Sequence, residues 1–173
     1  MEKIKEAVVS NVFVNLKSRA LAETAVCTIT AAVFPAIFAH TPQNQFIVGP
    51  IVNAILFWVA LRVGLTNALF IAVIPSLIAL FRGLLPPTAA AVVPFIILGN
   101  CAMIIAFASL KTSLWIRVTV SSIFKSLFIF LPVFFLLNSS SLVTFMMSWP
   151  QLVTALIGGF AVIKLSKAFT LDK

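Results

Sequence analysis

The chain has 173 residues, 62% of them hydrophobic and 9% charged, with a formal charge of +8. Ordinary soluble domains are nearer half apolar and a quarter charged, so a water-soluble core cannot hide this much apolar surface, and the class is a polytopic membrane protein. In a soluble chain the positive charge would suggest nucleic acid. Here no basic run alternates with aromatics in a polar setting, so nucleic acid is excluded as a partner and the charge is assigned to cytoplasmic loops beside anionic headgroups.

Residues 1–18, MEKIKEAVVSNVFVNLKS, mix acids with bases and place Ile4, Val8, Val12 and Leu16 on one helical stripe. The segment does not read as a signal peptide, because the apolar run after it is too long for such a leader and lacks a small-x-small exit. It reads instead as an amphipathic helix on the inner membrane surface. The expected membrane domain covers 19–167, and 168–173 form a tail.

Six apolar spans follow, at about 20–39, 46–61, 67–81, 88–110, 114–137 and 150–165. The second, third and sixth are near the short limit for crossing a bilayer. The connection ARVGLTN is so short that spans two and three are antiparallel neighbours. The expected fold is therefore all-α, a six-transmembrane-helix bundle with both termini inside. The distribution of positive charge supports this count. With the N-terminus inside, Lys3, Lys5, Lys17, Arg19, Arg62, Lys111, Arg117, Lys164, Lys167 and Lys173 all fall inside, Arg82 alone falls in an outer loop, and Lys125 lies within span five.

Several chemistries are missing. No Asp or Glu stands between Glu23 and Asp172, and His40 is the only histidine. Ion-coupled transporters place carboxylates in the membrane, metal hydrolases need carboxylate or histidine clusters, and lipid phosphotransferases need acids to hold magnesium. Cys27 and Cys101 lie in apolar runs with no CxxC and no zinc spacing, so they read as small core residues. A GxSxG motif and a P-loop are also absent. Catalysis, a bound metal and a resident cofactor are not expected.

The polar residues gather towards the outer half instead. HTPQNQ is the first outer turn, with His40, Gln43, Asn44 and Gln45 as either turn and cap residues or pocket walls. Asn53 lies about two turns below it. Arg82, in FRGLLPP, belongs to the second outer turn and is either solvated or a ligand contact. Asn100 follows Pro94 and Gly99, where a kink loosens the backbone. Gln151 sits beside Pro150 at the start of span six. Lys125 is about 12 Å deeper than Arg117; it either snorkels to the inner interface or meets an anion such as a carboxylate or phosphate. A polar side chain in hydrocarbon must pair or line a cavity, and an outward-facing pocket satisfies all of these residues together. Span one carries a small-residue stripe, Ala20, Thr24, Thr28, Ala32, Ala36, suited to close helix packing within the chain or to docking another membrane protein.

These features, with the stretches HTPQNQFIVGPIVNAILF, PSLIALFRGLLPP, PFIILGN and MSWPQLVTALIGG, resemble the substrate-binding S components of energy-coupling factor (ECF) transporters. The resemblance implies a bacterial multi-pass plasma-membrane subunit. It would bind a vitamin, a cofactor precursor or a similar micronutrient at the outer side, then dock onto a transmembrane coupling subunit and two ATPases. It would put the ligand at the first outer loop, Arg82, Asn100, Lys125 and Gln151, and the docking face on Thr28, Ala32 and Ala36. The nickel and cobalt members rely on an N-terminal histidine that this chain lacks. The alternative is a non-transporting membrane accessory or interaction protein whose polar loops are only solvated.

Overall fold

The computed structural model describes residues 2–38, 45–81, 90–136 and 141–171, with the side chains of the first helix described from Ser18 onward. Within these residues there are seven helices and no strand. They are α1 (Glu2–Ile37), α2 (Gln45–Arg62), α3 (Leu65–Phe81), α4 (Val93–Ser109), α5 (Leu114–Leu136), α6 (Ser141–Met146) and α7 (Trp149–Leu171). Helix is the expected outcome for apolar runs of this length, because in lipid each backbone N–H and C=O must find its partner within its own segment.

Four segments are long and apolar enough to cross a membrane: Ser18–Ile37, Gln45–Arg62, Leu114–Phe135 and Val143–Ala168. With 17 residues each, α3 and α4 extend about 25 Å, somewhat less than the ~30 Å hydrocarbon layer. The chain is a multi-pass membrane protein, and its burial pattern follows the same logic. The side chains turned outward on α5 include Ile123, Phe124, Leu127, Phe128, Leu131, Phe134 and Phe135, whereas Ser121, Ser122 and Lys125 on the same helix are buried. A water-soluble bundle would do the reverse.

Some boundaries differ from those expected. No break separates an N-terminal surface helix from the first span, since α1 is continuous through residue 18. The last helix runs to Leu171, so most of the expected tail is helical. The connection before α7 contains the short helix α6, six residues long.

Close approaches give the packing directions. Gly49 and Gly159 of the pair α2 and α7 face Thr154 and Phe57 respectively, so these two helices run parallel. Gly99 of α4 faces Lys125 and Ile129 of α5, while Arg117 donates from Nε to the Phe107 carbonyl, so α4 and α5 form an antiparallel hairpin. One end of the bundle thereby collects Arg62, Lys111, Arg117 and Lys164. Its cations are anchored: the Arg62 and Arg117 guanidinium groups lie 5.5 Å and 4.2 Å from the Trp58 and Phe107 ring centroids. Trp115 packs on Phe160 at this same end, 4.9 Å between centroids. At the opposite end Trp149 packs on Phe46 and Phe145. Tryptophan at both ends is the pattern of membrane interfaces.

The second end is also where the prolines lie. Pro35 is near the end of α1, Pro50 near the start of α2, Pro75 in the last half of α3, Pro94 in the first turn of α4 and Pro132 near the end of α5. Since chain direction alternates between these helices, these five fall on one side of the bundle, and Pro150 in the first turn of α7 joins them. The main core fills the basic half around Leu56, Phe57, Met103, Ile104, Phe107 and Val118, and a smaller cluster around Val92, Ile129, Val133 and Val143 lies towards the proline end.

Candidate functional site

Between the two ends lies a buried polar layer. Lys125, residue 12 of the 23 in α5, is 4% exposed. Its Nζ donates to Oδ1 of Asn53 at 2.5 Å. Asn53 Nδ2 donates to Thr154 Oγ1 at 3.4 Å, and Thr154 Oγ1 donates to the Gln151 carbonyl at 3.2 Å. The chain of contacts therefore ties α5 to α2 and α2 to α7.

Glycines set this geometry. A Cβ on Gly158 would stand 2.5 Å from the Pro50 carbonyl oxygen and 2.9 Å from Asn53 Cβ, so only glycine lets α7 lie this close to α2. A Cβ on Gly99 would stand 3.1 Å from the Lys125 carbonyl oxygen, against Ile129, so α4 approaches α5 at the level of the lysine. The next residue, Asn100, is buried on the inner face of α4 with Met103, Ile104 and Phe107, and its Oδ1 has no hydrogen-bond partner. Ser122, one turn before Lys125 and on the same face, is buried with its hydroxyl unpartnered.

Lys125 therefore has one hydrogen bond for three N–H groups. Among the described residues no carboxylate reaches it; the Glu23 carboxylate pairs with Arg19 at 3.1 Å on the surface of α1. An isolated buried charge is costly in a low-dielectric interior, so a charged Lys125 would gain from a further acceptor.

Towards the proline end a cavity of about 110 Å³ opens between α1, α2, α3 and α4. It is lined by Ala31, Pro35, Val52, Pro75, Ser76, Val93 and Ile96. Its lining comes from α1 to α4 and includes none of Asn53, Asn100, Ser122, Lys125 or Thr154, although Val52 and Ile96 are sequence neighbours of two of them, one residue from Asn53 and one turn from Asn100. A separate furrow on the outer surface of α4 and α5, about 510 Å³, is lined mainly by apolar residues, among them Leu98, Ile105, Phe124 and Phe128. Apart from Ser109 and the Cys101 thiol its walls are apolar.

Of the residues singled out in the sequence, Asn53, Lys125 and Gln151 share this layer, and Asn100 is buried at its α4 side. Gln45 and Gln151 converge on a different atom: both donate from Nε2 to the Met146 carbonyl, at 2.8 and 3.3 Å, capping the end of α6. His40, Gln43, Asn44 and Arg82 lie outside the described residues. On α1, Thr28 and Ala32 are half-buried and Ala36 is exposed, with the Thr28 hydroxyl satisfied by the Thr24 carbonyl at 2.7 Å. Sequence reasoning missed Thr154 and Ser122. Their signal was spacing: Thr154 is three residues after Gln151, and Ser122 three before Lys125, which puts each pair on one helix face.

No protein-family model matches the chain, and neither does any curated protein or solved structure.

Proposed function

We propose that this protein is a solute-binding membrane subunit of an ATP-driven importer, similar to the S components of ECF transporters. The observation that carries the reading is the buried Lys125–Asn53–Thr154 chain, with Asn100 buried on the neighbouring α4, at mid-depth in a bundle whose described residues offer no acid to pair with the lysine. A structural ion pair would need a carboxylate, and a membrane enzyme or an ion-coupled pump would need one for chemistry. A binding site with an unspent cation needs none, because ATP hydrolysis by partner subunits supplies the work.

In this reading the six longer helices span the membrane with both termini inside, the basic end faces the cytoplasm and the proline end faces out. The ligand, a vitamin, cofactor precursor or similar micronutrient, enters from the proline end through the cavity beside Val52 and Ile96. Thr28, Ala32 and Ala36 of α1 form the face that docks onto a transmembrane coupling subunit carrying two ATPases. The setting is a bacterial plasma membrane. Nothing in the reading calls on enzymatic activity.

One observation favours a second reading, a non-transporting accessory protein. Lys125 already donates to Asn53, as a purely structural clamp between helices would. Native mass spectrometry of the gently purified protein, with identification of small molecules after denaturation, separates the two. The binding reading expects a stoichiometric compound that is lost on Asn100→Ala or Lys125→Met. Phospholipid alone, with unchanged thermal stability across a vitamin and cofactor panel, leaves the accessory reading.

A further inference from the structure

We infer that the Lys125 site selects a singly charged carboxylate that also bears an N–H or O–H donor, an inference that rests on the binding role proposed above. The buried polar side chains among the described residues are Asn53, Asn100, Ser121, Ser122, Lys125, Gln151 and Thr154, of which Lys125 alone can carry a charge. A phosphate monoester carries about −1.5 to −2 at neutral pH and would bring uncompensated negative charge into the bundle. A carboxylate matches the single ammonium.

Hydrogen-bond capacity agrees with charge. Lys125 spends one N–H on Asn53 and keeps two, and a carboxylate accepts both. Asn100 Oδ1 is buried and lacks a donor. A hydroxyl, amide or amine N–H on the ligand would satisfy it, and the Ser122 hydroxyl can add a contact from the next turn of α5. The ligand is thus an acid with a donor group, not a simple hydrocarbon acid.

Depth identifies the source. Lys125 is eleven residues from each end of α5, roughly 16 Å from either end of that helix. The headgroups of phospholipids and the carboxylates of free fatty acids sit at the interface, one helix half-length away. A soluble acid can descend through the bundle from the proline end, where a cavity of about 110 Å³ between α1, α2, α3 and α4 reaches Val52 and Ile96. That space holds roughly four waters, so it serves as a way in for a small acid, and the helices must part to seat the carboxylate at Lys125.

The test uses the full chain in phosphatidylcholine nanodiscs, with thermal unfolding read against lactate, propionate, lactamide and inorganic phosphate at matched ionic strength. Lactate carries both charge and hydroxyl and is expected to raise Tm, by roughly 3–6 °C at ten times its Kd. Propionate is expected to act more weakly, and lactamide and phosphate to have no effect. The lactate response should vanish in Lys125→Met and persist, weakened, in Lys125→Arg, which also shows that loss in the first variant is not misfolding. Equal responses to lactamide and lactate, or a lactate response retained in Lys125→Met, overturn the inference. A lysine-dependent Tm rise on adding phosphatidylglycerol, with none from lactate, assigns the anion to lipid and overturns it too. If native mass spectrometry finds a stoichiometric neutral or cationic compound and no acid shifts Tm, the carboxylate inference falls while the binding role stands. If it finds only phospholipid and no acid shifts Tm, both fall.

Discussion

The two ends of this bundle solve different problems. At the basic end the helices are closed by short turns. Val63 and Gly64 join α2 to α3, and a few residues join α4 to α5. Arginines are held there by aromatic faces and by the Phe107 carbonyl. Backbone hydrogen bonding is regular, and positive charge accumulates where anionic headgroups attract it. The proline end has the opposite character. Each proline inside a helix withholds an N–H, so the carbonyl four residues earlier loses its helical donor, as Ala31 does to Pro35 and Ile71 to Pro75. The cavity is lined by Ala31, Pro35 and Pro75. A membrane bundle tolerates weakened backbone hydrogen bonding only where neighbouring helices or a water-filled cavity compensate. On the proposed reading the contrast is between a rigid, electrically oriented base and a compliant mouth, with the polar layer between them.

The largest expected effect tests that boundary. Gly158→Leu should abolish the folded state, because its side chain would be driven into the Pro50 and Ala54 backbone, which has nowhere to move. Gly158→Ala should cost about 1–3 kcal/mol by overpacking. Size-exclusion behaviour and thermal unfolding in nanodiscs read both. Gly64, at φ +129° in the basic-end turn, has open space around its missing Cβ. Gly64→Ala should therefore cost only the backbone strain, roughly 1 kcal/mol. If Gly64→Ala proves the worse of the two alanine variants, close helix approach is not what sets the polar layer.

Next come the polar residues, where the sign of the effect matters more than its size. Asn53→Ala leaves the ammonium without its acceptor and should destabilise by about 2–3 kcal/mol. Lys125→Met removes a lone buried charge and replaces it with a side chain of similar length, so it should be neutral or stabilising by about 1–4 kcal/mol. In the double variant the cost of Asn53→Ala should shrink, because there is no longer an orphaned cation, and a double-mutant cycle measures the difference. A clear loss of stability in Lys125→Met would mean that the lysine is a structural clamp rather than a charge held for a ligand.

The sequence made the class and the helices legible, because apolar runs of this length have few alternatives in lipid. It also made most of the polar layer legible, since Asn53, Asn100 and Lys125 are conspicuous in hydrocarbon. Their partners were harder to see. Thr154 lies in an apolar run and matters only because Gly158 brings α7 against α2, a packing fact that no local pattern encodes. Gln45 and Gln151 illustrate the converse. Both are amides near helix starts, Gln45 reading as a turn former or a pocket wall and Gln151 as a ligand contact, and their side chains meet at one carbonyl of α6, a helix of six residues and too short to register as a span. The gathering of prolines at one end was present in the sequence all along, but it becomes visible only once alternate helices are known to run in opposite directions.

A smaller effect should separate mouth from base directly. Amide hydrogen exchange in the helical segments after Pro50 and before Pro75 should be faster near the cavity than at equivalent depths near Phe57 and Phe107, because local opening follows weakened backbone bonding. Pro75→Ala restores one N–H. It should slow exchange around Ile71 and slow ligand entry and release, while changing equilibrium affinity little. Uniform exchange along α3 in both forms would remove the compliant mouth from the account.

The smallest effect belongs to the basic end. Lys164 and Lys167 are exposed on α7, beyond the region where packing decides stability. Replacing both with Ala should leave Tm within about 1–2 °C in phosphatidylcholine nanodiscs, since surface charges rarely contribute more than a few tenths of a kcal/mol. In nanodiscs rich in phosphatidylglycerol the same change should weaken association with the acidic lipid by about 1 kcal/mol per lysine. That difference should disappear at high salt, because the interaction is screened within a Debye length. The comparison is therefore between two lysine classes in one molecule. Lys164 and Lys167 act at the surface, respond to salt and leave the polar layer untouched. Lys125 is screened from salt by burial, so its effect on acid binding should persist at ionic strengths that silence the other two.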